Sequence, residues 1–186
     1  QNCWMDGENH WGGLQLDEVG MPVVLAYRLW KADKITLEDS WDMVHRAADF
    51  IADFGPWSPQ ERWEEVFGVT PSTTAAQIAG LNSAAAFADA KGDVERAARY
   101  RRLAGEWTQK IDEWTFTTSG AHGNGRYCTR IEGAAWLNQP WNPNDEARFT
   151  LANGAGHPRE KDVTDGGFLE LVRFGVKAAL HPQIED

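Results

Sequence analysis

Apolar residues recur at three- and four-residue steps up to about Trp114, and then the pattern stops. From Asp17 to about Lys31, the positions Val19, Val23, Val24, Ala26, Tyr27 and Trp30 keep helical spacing. They predict an amphipathic helix in spite of Gly20, with Pro22 confined to its first turns, where a missing N–H is tolerated. Thr36-Leu37-Glu38-Asp39 reads as a capping box with Asp in the third helical place. Trp41, Val44, Ala48, Ile51 and Phe54 then follow until Gly55-Pro56 stops the second helix. A third helix opens after Pro71-Ser72-Thr73-Thr74, with Gln77 three residues after Thr74 as its cap signal. It carries Ile78, Leu81, Ala85 and Ala88 inward and ends at Gly92. Asp93 caps a fourth, whose stripe is Val94, Ala97, Tyr100, Leu103, Trp107, Ile111 and Trp114. Arg96, Arg99, Arg101 and Arg102 lie mostly off that stripe and read as a solvated face.

From Thr117 to Pro158 the chain is rich in Gly, Asn, Pro and Trp and has no helical period. Its one strand signal runs from Arg126 to Ile131, after the turn Gly123-Asn124-Gly125. Helical spacing returns from Asp165 to about Lys177, through Phe168, Leu169, Val172 and Val176, with Asp162 or Thr164 as candidate caps. Long helices in adjacent pairs, one extended irregular connection and no strand alternation give a mostly α class. Periodicity alone does not choose among a bundle, a solenoid and part of an α/α toroid.

Composition narrows the use of such a scaffold. At 186 residues the chain has the length of one domain. A net charge of -10 argues against nucleic acid and gives an anionic membrane no reason to bind. Cys3 and Cys128 have no metal-ligand spacing; a disulfide and two buried small hydrophobes both fit, and the second is expected. His10, His45, His122, His157 and His181 show no i, i+4 pairs, so no metal is expected. The chain holds 10 tryptophans. Trp4, Trp11, Trp57, Trp63, Trp136 and Trp141 lie in Gly-, Pro- or Asn-rich surroundings, where an aromatic face suits a stacking ligand.

The candidate chemistry lies in Gln60-Glu61-Arg62-Trp63-Glu64-Glu65-Val66-Phe67-Gly68, after the turn-rich Gly55-Pro56-Trp57-Ser58-Pro59. Two adjacent acids are more often a solvated face than a catalytic group. An indole beside them and a second carboxylate one residue away are also what raises the pKa of a catalytic acid.

These residues carry a resemblance over nearly the whole chain. Trp11-Gly-Gly-Leu-Gln-Leu-Asp17 looks like the Trp-Gly-x-x-Gln-x-Asp stretch of glycoside hydrolase family 15, the glucoamylases and glucodextranases. Trp63-Glu64-Glu65-Val66, followed by the Thr-rich helix start, is similar to its acid motif. Asn153-Gly154-Ala155-Gly156 and Asp162-Val163-Thr164-Asp165-Gly166-Gly167-Phe168-Leu169-Glu170-Leu171-Val172-Arg173 look like the segment before a later barrel helix in its bacterial branch.

The resemblance implies an (α/α)6 barrel and inverting attack on a terminal α-glucosidic bond of an α-glucan, maltooligosaccharide or isomaltooligosaccharide, releasing β-glucose. It implies Glu64 as general acid, Glu65 holding a substrate hydroxyl, and Trp11 and Trp63 lining the sugar site. Gln15 either positions the site or caps the first helix, and Arg159 and Asp162 are outlying sugar contacts. No cofactor is implied. An inverting enzyme needs a second carboxylate roughly 6.5 to 9.5 Å from the acid, and in the family that base lies beyond this chain. The expectation is therefore an acid-bearing part of a catalytic domain over residues 1–186, without a signal peptide and with the missing part of its barrel as a partner. The competing expectation is a non-catalytic helical carbohydrate-binding or interaction module, which would bind an oligosaccharide without cleaving it.

Overall fold

The computed structural model describes residues 4–8, 13–133, 141–151, 154 and 156–186. The expectations placed on Cys3, His10, Trp11, Trp136, Asn153 and Ala155 lie outside the described residues.

Two helical pairs form the body. Helix α1 (Leu16–Lys31) leads through a short connection to α2 (Leu37–Phe54), and α3 (Pro71–Lys91) leads through Gly92 and Asp93 to α4 (Val94–Thr115). The expected capping box of α2 is present: Asp39 N donates to Thr36 Oγ1 at 3.1 Å, and Thr36 N donates to Asp39 Oδ2 at 3.3 Å. The N-cap of α3 lies four residues before the expected Thr74 cap. Thr70 is the N-cap, accepting from Thr73 N at 3.4 Å, and Pro71 occupies the first helical position, where its fixed φ suits the helix and no N–H is needed. The helix ends on Gly92 at φ 75. Asp93 caps α4 by accepting from Arg96 N at 3.1 Å.

Helix α3 is the centre of the fold. It is buried on nearly all sides and packs on α1, α2 and α4. Its small residues make this possible. A Cβ added to Gly20 of α1 would lie 2.6 Å from the carbonyl oxygen of Ala76, and one added to Gly80 would lie 3.1 Å from the Gly20 Cα. The two helices thus meet backbone to backbone, which offsets the roughly 0.5–1 kcal/mol that each glycine costs within a helix. Pro22 is the seventh residue of α1 and so lies within its first two turns. Val23, Ala26, Val44, Ile51, Ile78 and Phe87 fill the space around the crossing.

Three expectations need correction. The arginines of α4 are paired rather than merely solvated: Arg96 reaches Asp49 at 3.0 Å and Asp93 at 2.8 Å, Arg99 reaches Asp53 at 2.5 Å, Arg102 reaches Glu106 at 3.0 Å, and Arg101 pairs with Asp89. Arg96 and Arg99 therefore join α4 to α2. The expected strand over Arg126 to Ile131 is shorter. Strand β1 (Phe116–Thr117) pairs antiparallel with β2 (Tyr127–Cys128), and Ile131 instead exchanges both backbone hydrogen bonds with Val69, at 2.9 and 3.0 Å. The helix expected from Asp165 to Lys177 is broken into a 3-10 turn (Gly166–Leu169) and one turn of helix, α5 (Glu170–Arg173). Adjacent glycines loosen its start, and Gly175 at φ 73 ends it. A further 3-10 turn (Glu160–Asp162) precedes it, and α6 (Pro182–Glu185) follows.

Cys128 is a free, buried thiol, and burial pushes its pKa up to about 12. Among the described residues, no helix is long and apolar enough to cross a membrane.

Candidate active site

The acid motif lies on a closed loop between α2 and α3. At its neck Ser58 and Gly68 exchange backbone hydrogen bonds, both 2.9 Å. Gly68 has φ 137, and a Cβ there would fall 1.9 Å from the Ile131 carbonyl oxygen, so the neck can seat against the late loop only with glycine at this position. Inside the loop, Glu61 N donates to Val66 O at 3.1 Å and Glu64 N donates to Glu61 O at 2.9 Å.

The Glu61 side chain shapes the tip. Its carboxylate is fully buried and accepts Trp63 N at 2.8 Å and Glu65 N at 2.9 Å. The amides on either side of Glu64 are therefore tied to one carboxylate. Glu64 itself holds φ 59, a left-handed conformation that costs a non-glycine residue about 1–3 kcal/mol and persists only where the surroundings enforce it. Behind Glu61 lies Arg130, also buried, with Nη1 3.7 Å from Glu61 and Nε 3.5 Å from Asp165. Asp165 is fully buried too; it accepts Gly167 N at 2.6 Å and approaches the Trp63 indole nitrogen at 3.5 Å. Burial pushes both carboxyls up, and the Arg130 guanidinium opposes the rise in each.

Further contacts seat the loop. Arg62 N donates to Thr73 Oγ1 at 3.2 Å, and its guanidinium pairs with Glu170 at 2.8 Å. Gln15 stands at the start of α1 and is buried, but its side chain does not cap the helix. Instead its Nε2 donates to Glu64 Oε1 at 3.0 Å and to Gln60 Oε1 at 3.4 Å. Glu64 and Glu65, both half-buried, line an open depression with Gly13, Gln60, Val66 and Phe67. Among the described residues, no group of three or more His, Cys, Asp or Glu side chains could hold a metal ion.

A model of the Glycosyl hydrolases family 15 covers residues 2–182. The chain belongs to this family. It is 43% identical over 184 residues to the glucoamylase of Clostridium sp. (strain G0005), an alignment that takes in 99% of this chain and 25% of the relative. A crystal structure of a bacterial glucoamylase complexed with acarbose superposes on the whole chain with a TM-score of 0.88 at 42% identity, covering 26% of that protein. The chain thus spans about a quarter of the length of the relatives it matches, and its paired helices are part of the glucoamylase (α/α)6 barrel.

Within this family member, Glu64 and Glu65 line the depression and the buried Gln15 reaches Glu64 from beneath it. Trp63 stands beside them, 44% exposed, with the Arg62 guanidinium 5.5 Å from its ring. Arg159 and Asp162 pair with each other at 2.5 Å, and Arg159 also reaches Glu146 at 3.0 Å. Periodicity and motif do not single out Glu61 or Arg130, and they give Asp165 only as the start of the last helix. An acid three residues before Glu64 in a turn-rich loop is a signal for Glu61, since a carboxylate with two acceptor oxygens can gather the free amides of a turn. Arg130 has no local signal, because its role exists only once the late loop packs on the acid loop.

Proposed function

We propose that this chain is the acid-bearing part of an inverting, exo-acting α-glucosidase of the glucoamylase or glucodextranase type. Glu64 donates a proton to the departing glycosidic oxygen, and a carboxylate outside this chain activates water on the opposite face of the sugar. One observation carries the assignment of Glu64: its Oε1 accepts from Gln15, on a turn whose flanking amides are both fixed by Glu61. With Oε1 occupied as an acceptor, a proton on Glu64 resides on Oε2, so the donor atom has a defined place before substrate arrives. Glu65 then accepts from a substrate hydroxyl, and Trp11 and Trp63 provide aromatic faces for the terminal sugar. Arg159 and Asp162 belong to a more distant part of the sugar site. The acarbose bound by the bacterial glucoamylase it resembles supports an oligosaccharide ligand.

The test uses the full-length protein that carries this chain. Proton NMR during hydrolysis of maltotriose, with isomaltotriose in parallel, should show β-glucose before mutarotation. Early α-glucose would exclude an inverting reaction. The 186-residue chain alone should give no measurable turnover, and rates comparable with the full-length protein would place the base inside it.

A further inference from the structure

We propose that Arg130 is a positioning residue for the acid: it holds Glu61 directly and the Trp63 indole through Asp165, and so fixes the turn from which Glu64 acts. The proposal rests on the reading of Glu64 as proton donor.

The geometry is that of a guanidinium between two carboxylates that have no exposure to water, 3.7 Å from one and 3.5 Å from the other. At these separations the contact is ionic; Arg130 Nε and Asp165 Oδ2 form no hydrogen bond despite their proximity. Arg130 stands on a fixed base. Thr129 N donates to Thr115 O at 2.7 Å on one side, and Ile131 is bonded to Val69 on the other. Asp165 is anchored as well, its N donating to Cys128 O at 2.8 Å.

What Arg130 protects is the ionised state of Glu61. Only a carboxylate accepts freely at both oxygens, and here one oxygen takes Trp63 N and the other Glu65 N. Without the guanidinium, two buried carboxylates would face each other with no cation between them, and protonation would relieve the repulsion. A protonated oxygen on Glu61 would no longer serve one of the two amides. The left-handed conformation at Glu64 is held by those amides, so its carboxyl would move away from Gln15 and from the bond it is to protonate. Arg62, whose ion pair with Glu170 and backbone N–H hydrogen bond to Thr73 Oγ1 attach the next residue to α5 and α3, limits that movement to the tip of the loop.

The test is the dependence on leaving group. A residue that places the general acid matters where the departing oxygen needs a proton and matters little where it does not, whereas a residue that only supports the fold lowers both rates alike. In the full-length protein, Arg130→Met should lower kcat on maltotriose by roughly a hundredfold, the loss that a misplacement of about 1 Å brings. It should lower kcat on α-glucosyl fluoride less than about tenfold, since general acid catalysis is worth about 10²–10⁴-fold where a proton is required. Arg130→Lys keeps a buried charge but lacks the fork that spans both carboxylates. It should show the same split to a smaller degree, and it carries the test if the Met variant does not fold. Equal losses on both substrates, in either variant with native circular dichroism, would overturn the proposal. Glu64→Gln in the same assay separates the two readings. A split there but not at Arg130 defeats only the positioning role, and no split at Glu64 defeats the acid assignment beneath it.

Discussion

Two arginine clusters hold this chain together, and they differ in what surrounds them. Between α2 and α4, Arg96 and Arg99 meet Asp49, Asp53 and Asp93 on a partly open face, with the arginines 38–39% exposed. The ion pairs pull the Asp49 and Asp93 carboxyls below their usual range, and such a seam gains little because water would serve the same charges almost as well. Beneath the acid loop, Arg130 meets Glu61 and Asp165 away from water, and the same burial pushes those carboxyls up. Here the charges are costly to bring together and far more costly to separate. The open cluster docks two helices; the buried one sets the conformation of a turn.

The largest stability effect should come from breaking the buried cluster on one side. Arg130→Met should destabilise the protein by about 3–5 kcal/mol near neutral pH, the usual cost of leaving a buried charge unmatched. Chemical denaturation followed by tryptophan fluorescence would check it, and a loss below about 1 kcal/mol would put Arg130 in the same class as the surface seam.

Glu160 sharpens the contrast, because the charges that act on its buried carboxyl are acids although Arg159 and Lys161 flank it in sequence, both turned to Glu146. Burial, helped by Asp145 and Glu132, pushes it up to about 8, while its carboxylate accepts Glu132 N at 2.7 Å. The folded value lies above the unfolded one, so folding takes up a proton. Any penalty is absent at pH values below the unfolded pKa and grows as pH rises towards 8. At about 1.4 kcal/mol per unit of difference this amounts to a few kcal/mol. Glu160→Gln keeps an acceptor for the Glu132 amide and removes the titration. Its melting temperature should therefore match that of the parent near pH 4 and exceed it near pH 8.5; an equal difference at both pH values would contradict this.

The smallest effects belong to the open seam. Arg96→Ala and Arg99→Ala should each cost about 1 kcal/mol or less, and 0.5 M salt should erase most of it, since exposed pairs are screened. A salt-insensitive loss of several kcal/mol would mean that the seam is as dry as the acid loop.

The sequence was most legible where periodicity and caps agree. Helices α1 to α4 follow from apolar spacing, and α2 follows from Thr36 and Asp39 as well. The start of α3 is ambiguous in sequence because two hydroxyl caps compete there, and Pro71 decides for Thr70. The last helix is shorter than the spacing of Phe168, Leu169 and Val172 predicts, because the glycines around it break the run. At the site, Trp63-Glu64-Glu65 and Gln15 were readable as motif residues. The left-handed turn and the cation under it were not, since Arg130 and Asp165 come from distant parts of the chain and meet Glu61 only by folding.

The most direct measurement is Glu64→Gln in the full-length protein, with kcat determined on maltotriose and on α-glucosyl fluoride. A proton donor held on this turn predicts a loss of about 10²–10⁴-fold or more on the oligosaccharide and near-parent turnover of the fluoride, which leaves without a proton. Equal loss on both substrates, or retention of both, would contradict the account.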